Sequence, residues 1–439
     1  MAHGRLARWR RPSRGGKRSL VWIVSAIFAL YFLFNLFTSP SEPRIYDGPH
    51  PPPNWRSPGR DVEAEYQAVL EAVPELGGTR RARLAFLVMA HGSNDIVLLK
   101  RSIPWLYSKE NFILIHLDRK TPTHVREDLK TFLSGLVNVR MLEPSLDVSW
   151  GGFSITLTAI FGLSTLVQWS TEWDYFINLS ASDFPLLSSA EMGAVLGPFV
   201  ERRVNFMTGS VMMESNRAER YSDDQGLYRV NHTHKAGNMF SEPGKPSKKV
   251  VRPLPTLFTL FKGEFWVALT REFCVYVHES PDNVARSLQA YFAKFRISDE
   301  SFFQTTLCHP NAHKSFPAYN NNLRHISWPY FNKETEWVLH PDPVDFHMVP
   351  KLMKSGAIFA RKFSLGTSDT AWGAIEDLLN SGSRRKSAER VRRVLARAAP
   401  ARKVTSRGEF CTVPRRYSLQ KVLDNPIVKV ERKSTAGKH

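Results

Sequence analysis

Short apolar runs bounded by polar residues alternate along the chain with stretches whose apolar positions recur at helical spacing. Residues 83–91 (RLAFLVMAH), 111–118 (NFILIHLD), 137–142 (VNVRML) and 175–180 (YFINLS) read as buried strands. Between them, the stretch carrying Ile96, Leu98, Leu99 and Ile103, then Pro122–Leu133, Phe153–Trp169 and Ser188–Phe199 read as helices. Strands alternating with helices predict an α/β fold whose central sheet is covered on both faces. In such sheets ligands bind outside the carboxyl ends of the strands. That rule singles out Ala90-His91, His116–Asp118 and Ser180–Asp183, each a polar cluster after an apolar run.

Beyond Glu201 the pattern grows irregular. Residues 261–273 (FKGEFWVALTREF) resemble a strand followed by a helix, and 298–307 (SDESFFQTTL) a short helix. Residues 340–363 read as a loop, a helix and a strand that ends in charge at Arg361 and Lys362. An amphipathic helix is expected at Ser387–Ala399, its cations forming a solvated face or a contact for an acidic polysaccharide or lipid.

Charge becomes informative once it is located. The total is +19, but residues 1–18 hold seven Lys/Arg and no acids, and residues 366–439 hold 17 Lys/Arg against seven Asp/Glu, leaving the middle near neutrality. A basic face across the main body, and with it a nucleic-acid partner, is not supported. The N-terminal cations precede Ser19–Phe37, whose only ionisable side chain is Tyr31. At helical rise that run spans about 28 Å, close to the thickness of a bilayer core. Cations before it and none directly after predict a signal anchor with the C-terminus across the membrane. The expected organisation is a cytosolic tail (1–18), a transmembrane helix (19–37), a Pro-rich stem (38–81) with a short helix at Val62–Val73, a catalytic body (82–364) and a basic tail (365–439), partly helical or disordered.

Three cysteines, Cys274, Cys308 and Cys411, allow at most one intramolecular disulfide and require none. Of the two sequons, Asn178 lies in an expected buried strand, so Asn231 is the glycosylation candidate. No Walker loop, GxGxxG or GxSxG occurs, and no Asp-x-Asp is present to hold a divalent cation on a nucleotide diphosphate. Adjacent cations such as Arg361 and Lys362 would suit a phosphate instead, although a surface basic pair is the simpler account. Residues 296–305 (RISDESFFQT) likewise read first as a plain helix start, with Ser298 as N-cap and Asp299 and Glu300 in the first turn.

Five ordered segments change that picture: YFINLSASDFPLLSSAEM (175–192), FKGEFWVALTREF (261–273), SDESFFQT (298–305), NNNLRHISW (320–328) and SGAIFARKF (355–363). Together they resemble the branching glycosyltransferases, which group core-2-type β-1,6-N-acetylglucosaminyltransferases, peptide O-xylosyltransferases and plant-type β-glucuronosyltransferases. The likeness covers roughly residues 83–364 and is closest to the plant-type enzymes, whereas WGGFS (150–154) leans toward the xylosyltransferases.

The resemblance implies a GT-A-like, Rossmann-type nucleotide-sugar domain with a mixed central sheet, an inverting mechanism, a UDP-sugar donor and no obligatory metal or other cofactor. It makes Glu300 the general base and Arg361 and Lys362 the cations on the donor diphosphate. Asp118 falls near the nucleoside, Trp150 in the donor pocket, and Asp183, Trp266 and Glu264 near a donor or acceptor sugar. His91, at the end of its strand, joins the donor-site candidates. Asp299 then keeps the helix-start role, and Phe302-Phe303 anchor the helix and shield the base. A glucuronate carboxylate would favour one more cation, and His91, Arg271 and Arg324 are not placed by the sequence. The expected partners are a UDP-sugar, a glycan or proteoglycan acceptor and, through the N-terminal helix, the Golgi membrane; a homodimer stays open. Glucuronosyl transfer leads, with xylosyl or N-acetylglucosaminyl transfer and a catalytically silent carbohydrate-binding protein as the alternatives.

Overall fold

The computed structural model describes residues 61–212, 258–328 and 340–403 apart from a few single positions, the backbone of two short strands within 232–241, and Cys411. The expected cytosolic tail, the span Ser19–Phe37, the first part of the stem, Asn231 and most of the chain beyond 403 lie outside the described residues. Among the described residues no helix is long and apolar enough to cross a membrane.

In chain order the elements are α1 (Val62–Ala72), β1 (Leu84–Ala90), α2 (Gly92–Leu106), β2 (Phe112–Leu117), α3 (Thr123–Leu133), β3 (Val139–Met141), α4 (Phe153–Trp169), β4 (Tyr175–Ser180), β5 (Phe184–Pro185), α5 (Ser189–Val200), β6 (Asn205–Met207) and β7 (Ser210–Val211). There follow β8 (His232–Lys235), β9 (Asn238–Ser241), β10 (Phe261–Lys262), β11 (Ala268–Thr270), α6 (Arg271–Glu279), α7 (Val284–Phe292), α8 (Phe302–Leu307) and α9 (Pro310–His313). The last are β12 (Ala318–Asn320), β13 (Arg324–Ile326), α10 (Val349–Lys354), β14 (Phe359–Arg361), α11 (Asp369–Asn380) and α12 (Arg384–Ala398).

The main sheet has the order β12-β6-β11-β4-β1-β2-β3. β1 runs parallel to both β2 and β4, while β11 is antiparallel to β4 and β6, so the sheet is mixed as expected. Period-two alternation divides its side chains between two cores. Leu84, Phe86 and Val88 of β1 face α1, α2, α3, α5, α11 and α12, whereas Ala85 and Leu87 face α4, α6, α7 and α8. The chain leaves β1 toward β2 and β3 on one side and returns to β4 on the other. The gap between the carboxyl ends of β1 and β4 is therefore the topological switch point.

Packing runs past both expected edges of the catalytic body. Tyr66 and Val69 of the expected stem, and Trp372, Ile375, Val391 and Val394 of the expected tail, are all buried in the first core. The cations of α12 are not simply a solvated face. Arg390 pairs with buried Glu191 at 2.5 Å, Arg384 with Glu71 at 3.0 Å and Arg392 with Glu75 at 3.2 Å. Arg393 and Arg397 donate to the carbonyls of Met353 and Arg324, at 3.0 and 2.9 Å. The helix thus braces the segment around β13 and β14 from behind. One disulfide forms, Cys308–Cys411, and Cys274 is a buried free thiol. Asn178 is fully buried, its amide bonded to the carbonyl of Phe265 and the N–H of Val267, so its sequon is closed to glycosylation as expected.

Candidate active site

The turn that carries Glu300 departs from the expected helix start. Residues 298–300 form one turn of 3-10 helix that breaks at Ser301 before α8 begins, and Ile297, with φ of 56°, precedes it. Ser298 does not cap through its side chain; it is buried, and its hydroxyl hydrogen-bonds Thr156 at 3.0 Å. Three contacts fix the turn: that hydroxyl pair, the Ile297 N–H donating to Gly151 at 2.7 Å, and the Gly263 N–H donating to the Glu300 carbonyl at 2.8 Å. Phe302 and Phe303 behind it are fully buried, which stabilises by about 1.5–3 kcal/mol each. They anchor the half-buried Glu300 at the edge of the second core.

The cations come from a small second sheet in which β14 lies between parallel β13 and antiparallel β5. Arg324 pairs with Phe359 and Ile326 with Arg361, so the side chains of Arg324 and Arg361 leave the same face. Both guanidiniums lie over the Trp266 ring, 5.0 and 4.0 Å from its centre. Both also approach Asp183, which is buried in the loop after β4. Arg361 Nη1 stands 3.2 Å from Asp183 Oδ2, and Arg324 Nε 3.9 Å from Oδ1. Asp183 Oδ2 also accepts from the Ser180 N–H and hydroxyl, each at 2.7 Å.

Glu264 joins the base to these cations. Its turn is held by its own N–H donating to the Thr208 hydroxyl at 2.9 Å and by Gln304 Nε2 donating to its carbonyl at 2.8 Å. Its carboxylate accepts from Asn322. Burial pushes the Glu264 carboxyl above the usual range and the Glu300 charge adds to this, while the Asn322 amide, Arg324 and Arg361 oppose it. Glu264 thus lies within the field of both the candidate base and the candidate diphosphate cations.

The remaining candidates follow β1 and β2 or lie in the loop before α4. Trp150 is half-buried, its ring 6.3 Å from that of His340. Partial desolvation, and after it the Lys362 charge, hold the His340 imidazole below its usual range. Asp118 is buried at the end of β2, where Lys120 and the Val148 N–H bond its carboxylate at 3.0 and 2.9 Å. It fastens the loop that leads to Trp150. His91 caps α2 with its ring exposed and 3.0 Å from Asp95, whose carboxylate raises the imidazole pKa. Among the described residues no group of three or more His, Cys, Asp or Glu side chains is arranged to hold a metal ion.

Comparison with known proteins identifies the fold's relatives. The Core-2/I-Branching enzyme profile matches residues 84–349, more than half of the chain. The protein belongs to the Core-2/I-Branching enzyme family. Within this family, β-glucuronosyltransferase GlcAT14A of Arabidopsis thaliana is 29% identical over 372 residues, covering 82% of this chain and 78% of that one. GlcAT14B of the same plant is 32% identical over 290 residues, 64% and 63% of the two chains. Xylosyltransferase 1 of Rattus norvegicus is 26% identical over 311 residues, 68% of this branching-family chain but 35% of the rat protein. A sugar-transferring enzyme is the common ground.

For this Core-2/I-Branching family member, the sequence did not place Arg324, Asn322, Gln304 or His340. Of the three cations left open, Arg324 enters the centre, whereas His91 is exposed at the end of β1 and pairs with Asp95. Arg271 lies at the opposite end of the strands, beside the amino end of β4, its guanidinium bonded to the Ser170 carbonyl and over the Trp173 ring. β13 is three residues long, too short for alternation to reveal which way Arg324 points. The one sequence signal for it was its place inside NNNLRHISW.

Proposed function

We propose that the protein is a Golgi, type II membrane glycosyltransferase of GT-A fold that moves glucuronate from UDP-glucuronate to a hydroxyl of a galactan-like glycan, inverting the anomeric centre. Glu300 takes the proton of the acceptor hydroxyl as it attacks, and Arg361 with Lys362 holds the departing diphosphate without an obligatory metal. One observation carries this proposal: the Gly263 N–H donates to the Glu300 carbonyl at 2.8 Å and, three residues on, the Trp266 ring lies 4.0 Å from the Arg361 guanidinium, so one short segment joins the base turn to the cationic seat.

The chemistry needs little more. A carboxylate within hydrogen-bond reach of the acceptor hydroxyl accepts its proton during a single displacement. Negative charge grows on the diphosphate as the glycosidic bond breaks, so cations fixed beforehand stabilise the transition state more than the ground state. Arg361 is fixed by Asp183 and Trp266, and Asp118 sets the loop leading to Trp150 at the nucleoside side. Trp266 and Glu264 offer an aromatic face and a hydrogen-bond acceptor to a sugar.

Glucuronate is favoured over xylose and N-acetylglucosamine because GlcAT14A, a relative named β-glucuronosyltransferase, matches over 372 residues, the longest stretch of the three compared. A luminal catalytic body is supported by the Cys308–Cys411 disulfide, since such bonds persist in oxidising compartments.

The test is UDP release by the detergent-solubilised full chain with UDP-glucuronate, UDP-xylose and UDP-N-acetylglucosamine, each against galactosides and a Ser-Gly peptide. Release with UDP-glucuronate and a galactoside supports the proposal, and a preference for xylose on the peptide replaces it by the xylosyl alternative. UDP binding without turnover on any pair makes the protein a silent binder. Loss of activity in EDTA that Mn²⁺ restores removes the metal-independent part.

A further inference from the structure

Arg324 is buried in a way that fold stability does not account for. Its side chain is 1% exposed. A guanidinium taken out of water is destabilising unless it is closely paired. Its Nη2 donates to the Asn178 carbonyl, and Nε and Nη1 have no hydrogen-bond partner among the described residues. Asp183 stands 3.9 Å away, and its Oδ2 is already engaged by Ser180 and Arg361. Burial draws the Arg324 pKa down to about 10 against the pull of Asp183. An apolar side chain of similar size would fill this place without that cost.

The neighbours of Arg324 show what the charge does. It lies over the Trp266 ring at 5.0 Å and the Phe359 ring at 5.5 Å, and its backbone is fixed by Asn322 at 3.2 Å and Arg397 at 2.9 Å. Trp266 and Asp183 are also the two groups that hold the Arg361 guanidinium, at 4.0 and 3.2 Å. A residue this buried cannot reach a substrate, yet it touches both supports of a residue that can.

We propose that Arg324 is a positioning residue for Arg361: it fixes the Asp183 carboxylate and the Trp266 ring so that the Arg361 guanidinium is already aimed when diphosphate charge develops. This assignment rests on Arg361 being the diphosphate cation. Its mechanism is preorganisation, in which the cost is met on folding rather than at the moment of reaction.

The test is a double-mutant cycle in the full chain with Arg324→Gln, Arg361→Gln and the double variant, reading kcat, KM and the Kd for UDP. Arg324→Gln is expected to lower kcat/KM by about 10- to 100-fold, the scale of a small misplacement of a catalytic group. It is also expected to weaken UDP binding at temperatures where the variant is folded, and to add almost nothing in the Arg361→Gln background. Losses that multiply across the cycle overturn the proposal, as does an Arg324→Gln enzyme with wild-type kcat and UDP affinity. Should Arg324→Gln not fold, Arg324→Lys, which keeps the charge but not the fork, replaces it in the cycle with the same two outcomes. A wild-type enzyme that turns over while Arg361→Gln is unimpaired removes Arg361 from the diphosphate and overturns the assignment. A wild-type chain with no turnover and no UDP affinity overturns the transferase proposal and this one with it.

Discussion

The Gly263 N–H donates to the Glu300 carbonyl across 2.8 Å, tying the turn of the candidate base to the turn that carries Glu264 and Trp266. A Cβ at position 263 would lie 1.8 Å from the Thr208 carbonyl oxygen and 2.9 Å from Gln304 Nε2. Gly263→Ala must therefore shift the 263 turn away from Thr208 and disturb its hydrogen bond to Glu300. Its kcat is expected to fall by about 10- to 100-fold while UDP affinity, set by Arg361 and Lys362, changes less. Steady-state kinetics beside calorimetric UDP titration decide this, and an unimpaired kcat would mean that the spacing of these turns does not matter.

Glu300→Gln keeps the shape of the base but not its proton affinity. Turnover is expected to drop by about 10²- to 10⁴-fold, the usual contribution of a general base, with UDP binding retained. Near-normal turnover would take Glu300 out of the base role.

Glu264 gives a pH signature in stability. Burial raises its folded-state pKa, so the folded protein binds this proton more tightly than the unfolded chain does. The resulting stabilisation is complete below the usual glutamate range and is lost as pH rises through the folded-state value. Glu264→Gln has no such proton. Its Tm relative to wild type should therefore climb as pH rises above about 4 and level off beyond the folded-state pKa. A flat difference between the two melting curves across that range would contradict the assignment.

The Cys308–Cys411 bridge spans 103 residues and ends at the C-terminus of α8, directly after the base turn. Removing it by Cys308→Ser is expected to cost about 2–5 kcal/mol of stability. Thermal unfolding with and without reductant measures this; a wild-type enzyme insensitive to reductant would show that the bridge contributes little.

Tyr66, Val69 and Leu76 are buried in the first core, although they precede the expected start of the catalytic body. A chain beginning at residue 82 should be less stable than one beginning at residue 61 by several kcal/mol, given about 1.5–3 kcal/mol for each fully buried large apolar side chain. Equal Tm values for the two truncated chains would mean that α1 is dispensable.

The sequence by itself determined the layered part of the protein. Apolar runs such as 83–91 and 111–118 are buried on both faces, so they announce parallel strands without tertiary information, and Phe153–Trp169 has the same bounds in sequence and structure. The ordered segments also singled out Glu300, Arg361 and Glu264 as site candidates. Tertiary structure alone decided how they meet. Residues 298–300 became a separate 3-10 turn because Thr156, Gly151 and Gly263 offer it partners distant in sequence. Arg390 of α12 turned inward because Glu191 faces it from α5, while Arg384 and Arg392 stay exposed beside Glu71 and Glu75. Arg324 faces Trp266 and Asp183 because β13 pairs in register with β14. Local periodicity reports burial along one element, whereas a site made of turns and three-residue strands is fixed by pairings that no local pattern encodes.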